Sequence, residues 1–314
     1  MKPKLALCLF CILLFALNIS CESKQDSFFA ASLSAGEPLI VLSGGGTATS
    51  VNTSISLYDI RGNFLRILAD YASVNSRPRG LAPYDPFHFI VAINGNARLD
   101  KVSLFGEVTP FASDANFAGN IFGMTRDGDG NFYVVESNTI EKFSPTGVRV
   151  PISGTAPYIP TTLGACVLST PHGVIINAEG HLVAVSSGNS RLKIYDISES
   201  NPTCVDTHTY TGTQIWDIVQ HPNGYMYFVA QATAALYRVN VDGTDMELLY
   251  DYSPNTLNPG AIAVLPDGNL LVALHSTTVP RVDLFDPEGN MLQEGFITGT
   301  LTFQANSILI MGGQ

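Results

Sequence analysis

Residues 260–275 read GAIAVLPDGNLLVALH, and this stretch decides the fold. Residues 260–264 form a short apolar run, residues 265–268 (LPDG) interrupt it, and residues 269–275 are apolar again. An Asp-Gly pair between two apolar runs is typical of a β-hairpin, because glycine tolerates the positive φ that a tight turn requires. The stretch therefore predicts strand, turn and strand.

The same pattern recurs along the chain. The second strands of the predicted hairpins, which read FHFIVAI, NFYVVES, HLVAVSS, YMYFVAQ and NLLVALH, begin at residues 87, 131, 181, 225 and 269. The intervals between them are 44, 50, 44 and 44 residues. The first strands read RGLAP from residue 79, FGMTR from 122, HGVII from 172, WDIVQ from 216 and GAIAV from 260. A fixed period of this length indicates an architecture built from repeated units.

A second hairpin follows each first one. Its segments are 55–63, 102–108, 140–148, 192–198, 236–244 and 282–290. An aromatic residue recurs at nearly the same place in five of them, namely Tyr58, Phe105, Phe143, Tyr195 and Phe285, with Val239 in the remaining one. Four strands in about 44 residues is the size of one β-propeller blade.

The two ends of the chain supply complementary parts of one blade. Residues 39–43 (LIVLS) match a second strand that has no first strand before it, and residues 306–311 (NSILIM) match a first strand with nothing after it. Pairing them closes the ring and removes the exposed strand edges that an open one would carry. We therefore expect an all-β, six-bladed propeller of four-stranded blades over residues 36–314, in which the C-terminal strand pairs into the N-terminal blade.

Three short patterns carry a family resemblance: Pro-x-Gly-aliphatic, then Asp-Gly-Asn followed by aliphatic and aromatic residues, then Arg or Lys-aliphatic-aromatic-Asp. Over about 275 residues the chain resembles the NHL-repeat class of propellers and their six-bladed relatives. The resemblance implies the fold. It implies little about function, because such propellers include scaffolds, lactonases, an amidating lyase and sensor domains.

The N-terminus differs in composition from the rest. Lys2 and Lys4 precede an apolar run at residues 5–17, which suits a signal peptide over residues 1–20 and is too short to span a bilayer. Ile19-Ser20-Cys21 resembles the lipobox of bacterial lipoproteins, although Asn18 stands where that family usually has Leu. We expect a lipid on Cys21, a tether over residues 21–35, and a protein exported to the bacterial cell envelope, periplasmic or surface-facing. The alternative is ordinary cleavage that releases a free product.

Cys166 and Cys204 are the cysteines of the predicted propeller. In an oxidising compartment we expect them to form a structural disulfide. Two buried free thiols are the alternative, since the sequence does not give the separation of their Cα atoms.

The net charge of the chain limits the kinds of partner that it can bind. The net charge is −11 and the sequence contains no run of Lys and Arg, whereas binding to a phosphate backbone relies on clustered basic residues. We expect no nucleic-acid partner, and contact with a membrane through the lipid anchor only.

Propellers bind ligands at the mouth of the central channel, where the innermost strands begin. The residues predicted there are Arg79, Phe122, His172, Trp216 and Gly260, with Asn306 or its neighbour from the closing strand. Gluconolactonase-like relatives place a Glu, two Asn and an Asp at these positions to hold a divalent cation, which prefers oxygen ligands. Phe122, Trp216 and Gly260 offer no side-chain oxygen, and Asp217 is shifted by one residue, so the lactonase pattern is not met.

Two other metal sites were considered. The amidating-lyase relatives bind zinc through three histidines, but His172 is the one histidine of this chain that falls at a predicted mouth position, where a structural role is the alternative. Residues 127–131 (DGDGN) resemble the start of a calcium loop. Asn138 stands where such a loop requires Glu, and the pattern is better explained as a hairpin turn. The glycine-rich residues 43–47 lack the following helix of a phosphate-binding loop.

The sequence therefore indicates no catalytic residue, metal or cofactor. The candidate binding face comprises Arg79, Phe122, His172 and Trp216, the single tryptophan. Arg and Trp are frequent in binding hot spots, although Phe122 and Trp216 could instead fill space between blades. We expect a protein, peptide or glycan partner. The alternative function is a metal-dependent hydrolase or lyase of the gluconolactonase or NHL-like propeller type.

Overall fold

The computed structural model describes residues 29, 36–44, 53–71, 77–96, 98–113, 120–255, 257–276, 279–298 and 305–312. The proposed signal peptide, Cys21 and all of the tether except Phe29 lie outside these residues, as do residues 45–47 of the glycine-rich stretch. Within the described part of the chain, no helix has the length and apolar character needed to cross a membrane.

The strands form six sheets arranged around an axis. The first blade combines β1 (Leu39–Gly44), β2 (Ser54–Asp59) and β3 (Phe64–Asp70) with the last strand, β25 (Ala305–Met311). The second contains β4 (Arg77–Asp85), β5 (His88–Asn94), β6 (Arg98–Ser103) and β7 (Val108–Ser113), and the third β8 (Ile121–Arg126), β9 (Phe132–Glu136) and β10 (Thr139–Phe143).

The remaining sheets follow the same order. A small hairpin of β11 (Thr162–Leu163) and β12 (Cys166–Val167) precedes the fourth blade, which contains β13 (Pro171–Ile176), β14 (Leu182–Ser186), β15 (Arg191–Asp196) and β16 (Thr203–Thr209). The fifth contains β17 (Ile215–Gln220), β18 (Met226–Ala230), β19 (Ala235–Val239) and β20 (Glu247–Asp251). The sixth contains β21 (Pro259–Val264), β22 (Leu270–Leu274), β23 (Val282–Phe285) and β24 (Met291–Ile297).

The predicted closure is confirmed. β25 pairs antiparallel with β1, with Met311 opposite Leu39 and Ile308 opposite Leu42. It is thus the innermost strand of the first blade, and it contacts both neighbouring inner strands, β21 and β4. The first and last parts of the chain share one sheet, which leaves no gap in the ring.

The core is divided among the contacts between blades. Side chains alternate along each second strand, so Leu39 and Val41 pack toward the second blade while Ile40 and Leu42 pack toward the sixth. Equivalent apolar clusters lie between the other neighbouring blades. Because both faces of these strands are buried, their sequences are continuous apolar runs rather than alternating ones.

The third blade departs from the predicted four strands. After β10 the chain makes only isolated bridges to this sheet, Phe143 with Arg149 and Ile140 with Ile159. The segment 144–160 contains four prolines, which cannot donate to a strand ladder. This insertion also accounts for the 50-residue interval in the repeat.

A disulfide links the β11–β12 hairpin, which follows this insertion, to the fourth blade. The sulfurs of Cys166 in β12 and Cys204 in β16 are 2.08 Å apart, and their Cα atoms 5.7 Å apart. The bond fastens the β11–β12 hairpin to the outer strand of the blade that follows it.

One position of the aromatic repeat was aligned wrongly. Tyr58, Phe143, Tyr195 and Phe285 are buried on the third strands, as is Val239. Phe105 instead lies in the turn after β6 and is 58 % exposed, whereas Val102 pairs with Phe89 as Phe143 pairs with Phe132. Val102 is therefore the structural equivalent.

Candidate binding site at the channel mouth

The same irregularity occurs in all six inner strands. Each has a β-bulge near its first residues, so that one or two residues have no partner on the second strand. The residues at these bulges are Arg79, Phe122, His172, Trp216, Gly260 and Asn306, which we call the mouth. A bulge redirects a side chain out of the regular pleat. Here it presents six side-chain positions at one end of the channel.

Glycines after the bulge let the inner strands approach each other. A Cβ on Gly80 would lie 2.4 Å from the Phe122 carbonyl oxygen, and one on Gly123 2.4 Å from that of His172. A Cβ on Gly173 would lie 2.7 Å from a carboxylate oxygen of Asp217. These contacts explain the recurrent glycine of the first-strand pattern, and they hold the mouth residues at fixed spacing.

Five side chains form a continuous arc along the mouth. The Arg79 guanidinium lies 5.1 Å from the centre of the Phe122 ring, which stacks on His172 at 4.5 Å. His172 meets Trp216 edge-to-face at 3.8 Å, and Trp216 lies 5.5 Å from His275. The predicted face of Arg79, Phe122, His172 and Trp216 is thus brought together, and His275 extends it.

The two imidazoles of the arc carry no charge at neutral pH. Burial, together with the positive charge of Arg79, lowers the pKa of His172 to about 3 and that of His275 to about 4. The Nδ1 of His172 donates to the Pro171 carbonyl at 3.3 Å, and Gln231 donates to the Nδ1 of His275 at 2.9 Å. Both rings therefore act as flat, neutral surfaces.

Asp217 occupies the place of the recurrent glycine in the fifth blade. Its carboxylate accepts hydrogen bonds from the backbone N–H of Ile218 at 3.0 Å and of Ile262, in the next inner strand, at 3.1 Å. Burial nevertheless dominates and raises the pKa of Asp217 to about 7. The residue joins the fifth and sixth blades and titrates near neutrality.

Two neighbouring blades each carry a mouth residue with polar atoms that have no hydrogen-bond partner among the described residues. The Nε of Arg79 and both amide atoms of Asn306 are buried and have no hydrogen-bond partner in the part of the chain that the structure describes. Among the described residues, no carboxylate lies within ion-pair distance of Arg79. Burial lowers the pKa of Arg79 to about 10, so the group remains a cation at pH 7.

The mouth encloses a small space above a larger one. The cavity between Arg79, Phe122, His172, Trp216 and Asn306 has a volume of about 50 Å³. Beyond Asp217, the inner strands line a chamber of about 370 Å³ that continues toward the other end of the channel. A cavity of 50 Å³ holds a few water molecules and is well below the roughly 300 Å³ of a typical small-molecule site.

The sequence predicted some of these features and missed others. His275 stands at the end of a second strand and reaches the mouth because Gly260 leaves room: a Cβ there would lie 2.7 Å from that of His275. Asp217 was noted only as a displaced metal ligand. The other histidines, His88, His181, His208 and His221, lie in or beside turns and β16, away from the mouth.

The described residues offer no candidate metal centre. They contain no group of three or more His, Cys, Asp or Glu side chains arranged to hold an ion. The Asp127 carboxylate, the first residue of the loop that resembles a calcium site, accepts hydrogen bonds from the backbone and side chain of Asn131 and from the Tyr133 hydroxyl. Residues 127–131 form the hairpin turn between β8 and β9.

Comparison with known proteins establishes the fold. No family model and no curated protein matches the chain. A streptogramin B lyase structure matches at 14 % identity and a TM-score of 0.60, covering 82 % of this chain and 80 % of that one. A chain of a nidogen/laminin complex matches at 14 % identity and a TM-score of 0.66, covering 87 % of this chain and 98 % of that one. A protein of unknown function from Bacteroides caccae matches at 12 % identity and a TM-score of 0.62, covering 88 % of this chain and 99 % of that one.

The chain is therefore a six-bladed β-propeller. Its structural neighbours include a lyase as well as a member of a protein complex. Similarity at this level of identity does not choose between the two activities, so a proposal about function depends on the mouth.

Proposed function

We propose that this protein is an exported, lipid-anchored propeller that recognises a protein, peptide or glycan with the channel mouth. The observation that carries the proposal is the arc in which Arg79, Phe122, His172 and Trp216 line one cavity while Arg79 has no acidic partner among the described residues. A partly buried cation beside flat aromatic surfaces is a common composition of binding hot spots.

The rigid backbone beneath the mouth residues favours ligand binding. All six mouth residues come from strands of one closed ring, and contacts at the glycines fix the backbone beneath them. A ligand that meets a preformed surface loses less binding free energy to ordering the protein. Because the cavity is small, we expect it to receive one projecting group while the rest of the partner lies across the surrounding surface.

The proposal is tested by screening arrays of peptides and glycans with the purified protein and with Trp216→Ala. Ligands retained by the native protein should bind Trp216→Ala at least about tenfold more weakly, because truncating a hot-spot aromatic costs about 2 kcal/mol or more. Tyr225→Ala is the matched control, since Tyr225 is a partly exposed aromatic in a turn at the opposite end of the blade. Equal loss in both variants, or no loss in Trp216→Ala, would show that binding occurs elsewhere.

Metal content separates this proposal from a metal-dependent hydrolase or lyase. Elemental analysis of the purified protein should give no stoichiometric metal, in the native form and in His172→Ala alike. A stoichiometric ion that is lost in His172→Ala would overturn the binding proposal, and lactones and esters would then be the substrates to screen.

A further inference from the structure

We propose that Arg79 and Asn306 form a carboxylate-binding subsite in the mouth. The inference rests on the proposed function and adds the chemistry of the ligand: a carboxylate at the end of a narrow stem, as in an acidic side chain or the C-terminus of a peptide. The two residues occupy equivalent bulges on neighbouring inner strands, β4 and β25, and line the same cavity.

Two other poorly exposed arginines pair with acids, whereas Arg79, like Arg126, lies over a phenylalanine and has no acidic partner among the described residues. The guanidinium of Arg149 lies 2.8 Å from Glu141, and that of Arg281 2.9 Å from Asp283, with the two arginine side chains 11 % and 12 % exposed. Arg79 has the face of Phe122 instead of an acid. A partly buried cation loses hydration, and at Arg79 no carboxylate among the described residues replaces it. An incoming carboxylate would supply the missing charge and accept hydrogen bonds from the guanidinium.

Asn306 completes the complementarity. Its amide nitrogen, a donor, and its amide oxygen, an acceptor, have no hydrogen-bond partner among the described residues. A peptide carboxylate presents acceptor oxygens, and a peptide N–H lies close to a C-terminal carboxylate. The N–H groups of Arg79 and Asn306 can donate to the carboxylate oxygens, and the Asn306 amide oxygen can accept from the peptide N–H. Left empty, these buried groups carry the cost of unsatisfied hydrogen-bonding atoms.

Cavity size favours a peptide over an acidic sugar. A space of about 50 Å³ admits a carboxylate and the carbon that bears it. The carboxylate of a sugar acid is attached directly to its ring, so deep entry would require the ring to follow. An acidic side chain, or a chain terminus that ends in glycine, instead carries its charge on an unbranched stem, and the neighbouring residue can then pack on Phe122 or Trp216.

The test uses the fluorescence of Trp216, the single tryptophan, as a reporter inside the site. The purified protein is titrated with acetyl-glycyl-glycine, with its C-terminal amide and with glucuronate. The free acid should change the fluorescence saturably and bind at least about tenfold more tightly than the amide, because hydrogen bonds to charged groups are the stronger ones. Glucuronate should bind no better than the amide.

Variants of two arginines provide the control. Arg79→Met should lower affinity for the acid about tenfold or more while leaving the amide unchanged, and Arg79→Lys should restore part of it. Arg126→Met is matched, because Arg126 also lies on an inner strand over a phenylalanine, Phe132, but at the other end of the channel. It should bind like the native protein.

The outcomes separate the subsite from the proposed function. Equal affinity for acid and amide, or unchanged acid binding in Arg79→Met, would overturn the carboxylate subsite while mouth-dependent ligands in the arrays would still support the proposed function. Preferential binding of glucuronate would overturn the peptide assignment. Loss of the acid preference in Arg126→Met as well would also overturn the subsite.

A separate observation concerns the opposite end of the propeller. Each inner strand runs away from the mouth, and the turns at residues 86–87 and 104–107 therefore lie at the far end. The buried ring of Phe29 packs there, 5.6 Å from Phe105 and with the Arg66 guanidinium 5.7 Å above it. Glu37, just before β1, pairs with Arg61 in another turn of that end at 3.2 Å.

From this placement we infer that a lipid on Cys21 directs the mouth away from the membrane. Cys21 precedes Phe29 by eight residues, which span at most about 29 Å when fully extended. Because Phe29 packs at the end opposite Arg79 and Trp216, we expect the chain to leave the propeller for the membrane from that end. Like the carboxylate subsite, this inference rests on the proposed function, here on its lipid anchor. It makes the mouth accessible to partners outside the bilayer.

Energy transfer tests the orientation. The lipidated protein is reconstituted into phosphatidylethanolamine and phosphatidylglycerol vesicles that carry dansyl-labelled lipid headgroups. Transfer from Trp216 should be weaker than transfer from the tryptophan of a Phe105→Trp, Trp216→Phe variant. Adding Phe29→Ala to each should narrow the difference, because the tether then no longer holds one end down. Equal or stronger transfer from Trp216 in the native protein would overturn the inference.

Discussion

Deletion of residues 305–314 should leave a chain that does not fold cooperatively. β25 supplies the inner strand of the first blade and separates β21 from β4, so its loss exposes an edge of β1 and the apolar surfaces of two blades. Removing a buried aliphatic side chain alone costs about 2–5 kcal/mol, and β25 buries Ile308 and Met311 as well as Ala305. The sum approaches the 5–15 kcal/mol by which whole domains are stable.

Differential scanning calorimetry and size-exclusion chromatography measure this effect. The native protein should give one cooperative transition and elute as a folded species, whereas the deletion variant should give no transition and should associate through the exposed strand edge. Deletion of residues 313–314 alone is the control and should leave the transition within a few degrees of the native one. A cooperative transition in the longer deletion would contradict closure through β25.

The second large effect concerns Asp217. Its pKa is about 7 in the folded protein and about 4 when unfolded, so the unfolded chain ionises first as the pH rises. Asp217 therefore contributes stability at low pH that is lost between about pH 4 and pH 7, by at most roughly 4 kcal/mol. Asp217→Asn should remove this loss, since an amide does not ionise.

Urea unfolding of both proteins at pH 4.5 and pH 8 isolates this contribution. His172 and His275 have lowered pKa values, so each adds stability as the pH rises toward about 6.5, which opposes Asp217. Because both proteins share the two histidines, the difference between their unfolding free energies reports Asp217. That difference should shift in favour of the Asn variant at pH 8. A difference independent of pH would show that Asp217 is not buried as described.

The repeat made the architecture predictable. Apolar runs buried on both faces, Asp-Gly turns and complementary chain ends each have one physical explanation, and together they define six blades and their closure. The three-stranded sheet of the third blade was harder to predict from the sequence, because the prolines of segment 144–160 interrupt a strand without altering the repeats around it. Phe105 was assigned to the third-strand position because spacing alone does not distinguish an aromatic residue in a turn from one on the preceding strand.

The mouth was predictable only in part. Arg79, Phe122, His172 and Trp216 precede the inner strands and could be located by position. Three other features depend on contacts between blades. They are the bulges that orient these side chains, the space beside Gly260 that admits His275, and the lack of partners for Asn306 among the described residues. Such contacts involve residues far apart in sequence, and a pattern within one strand does not reveal them.

The proposed recognition surface is the cationic, aromatic mouth of an acidic protein. Quenching of Trp216 fluorescence by iodide and by caesium measures the local charge at this mouth, because the net charge of −11 would by itself attract caesium and repel iodide. We predict that iodide quenches Trp216 more strongly than caesium at equal ionic strength, and that Arg79→Met reverses the order. Stronger quenching by caesium in the native protein would contradict a positively charged mouth and the function proposed for it.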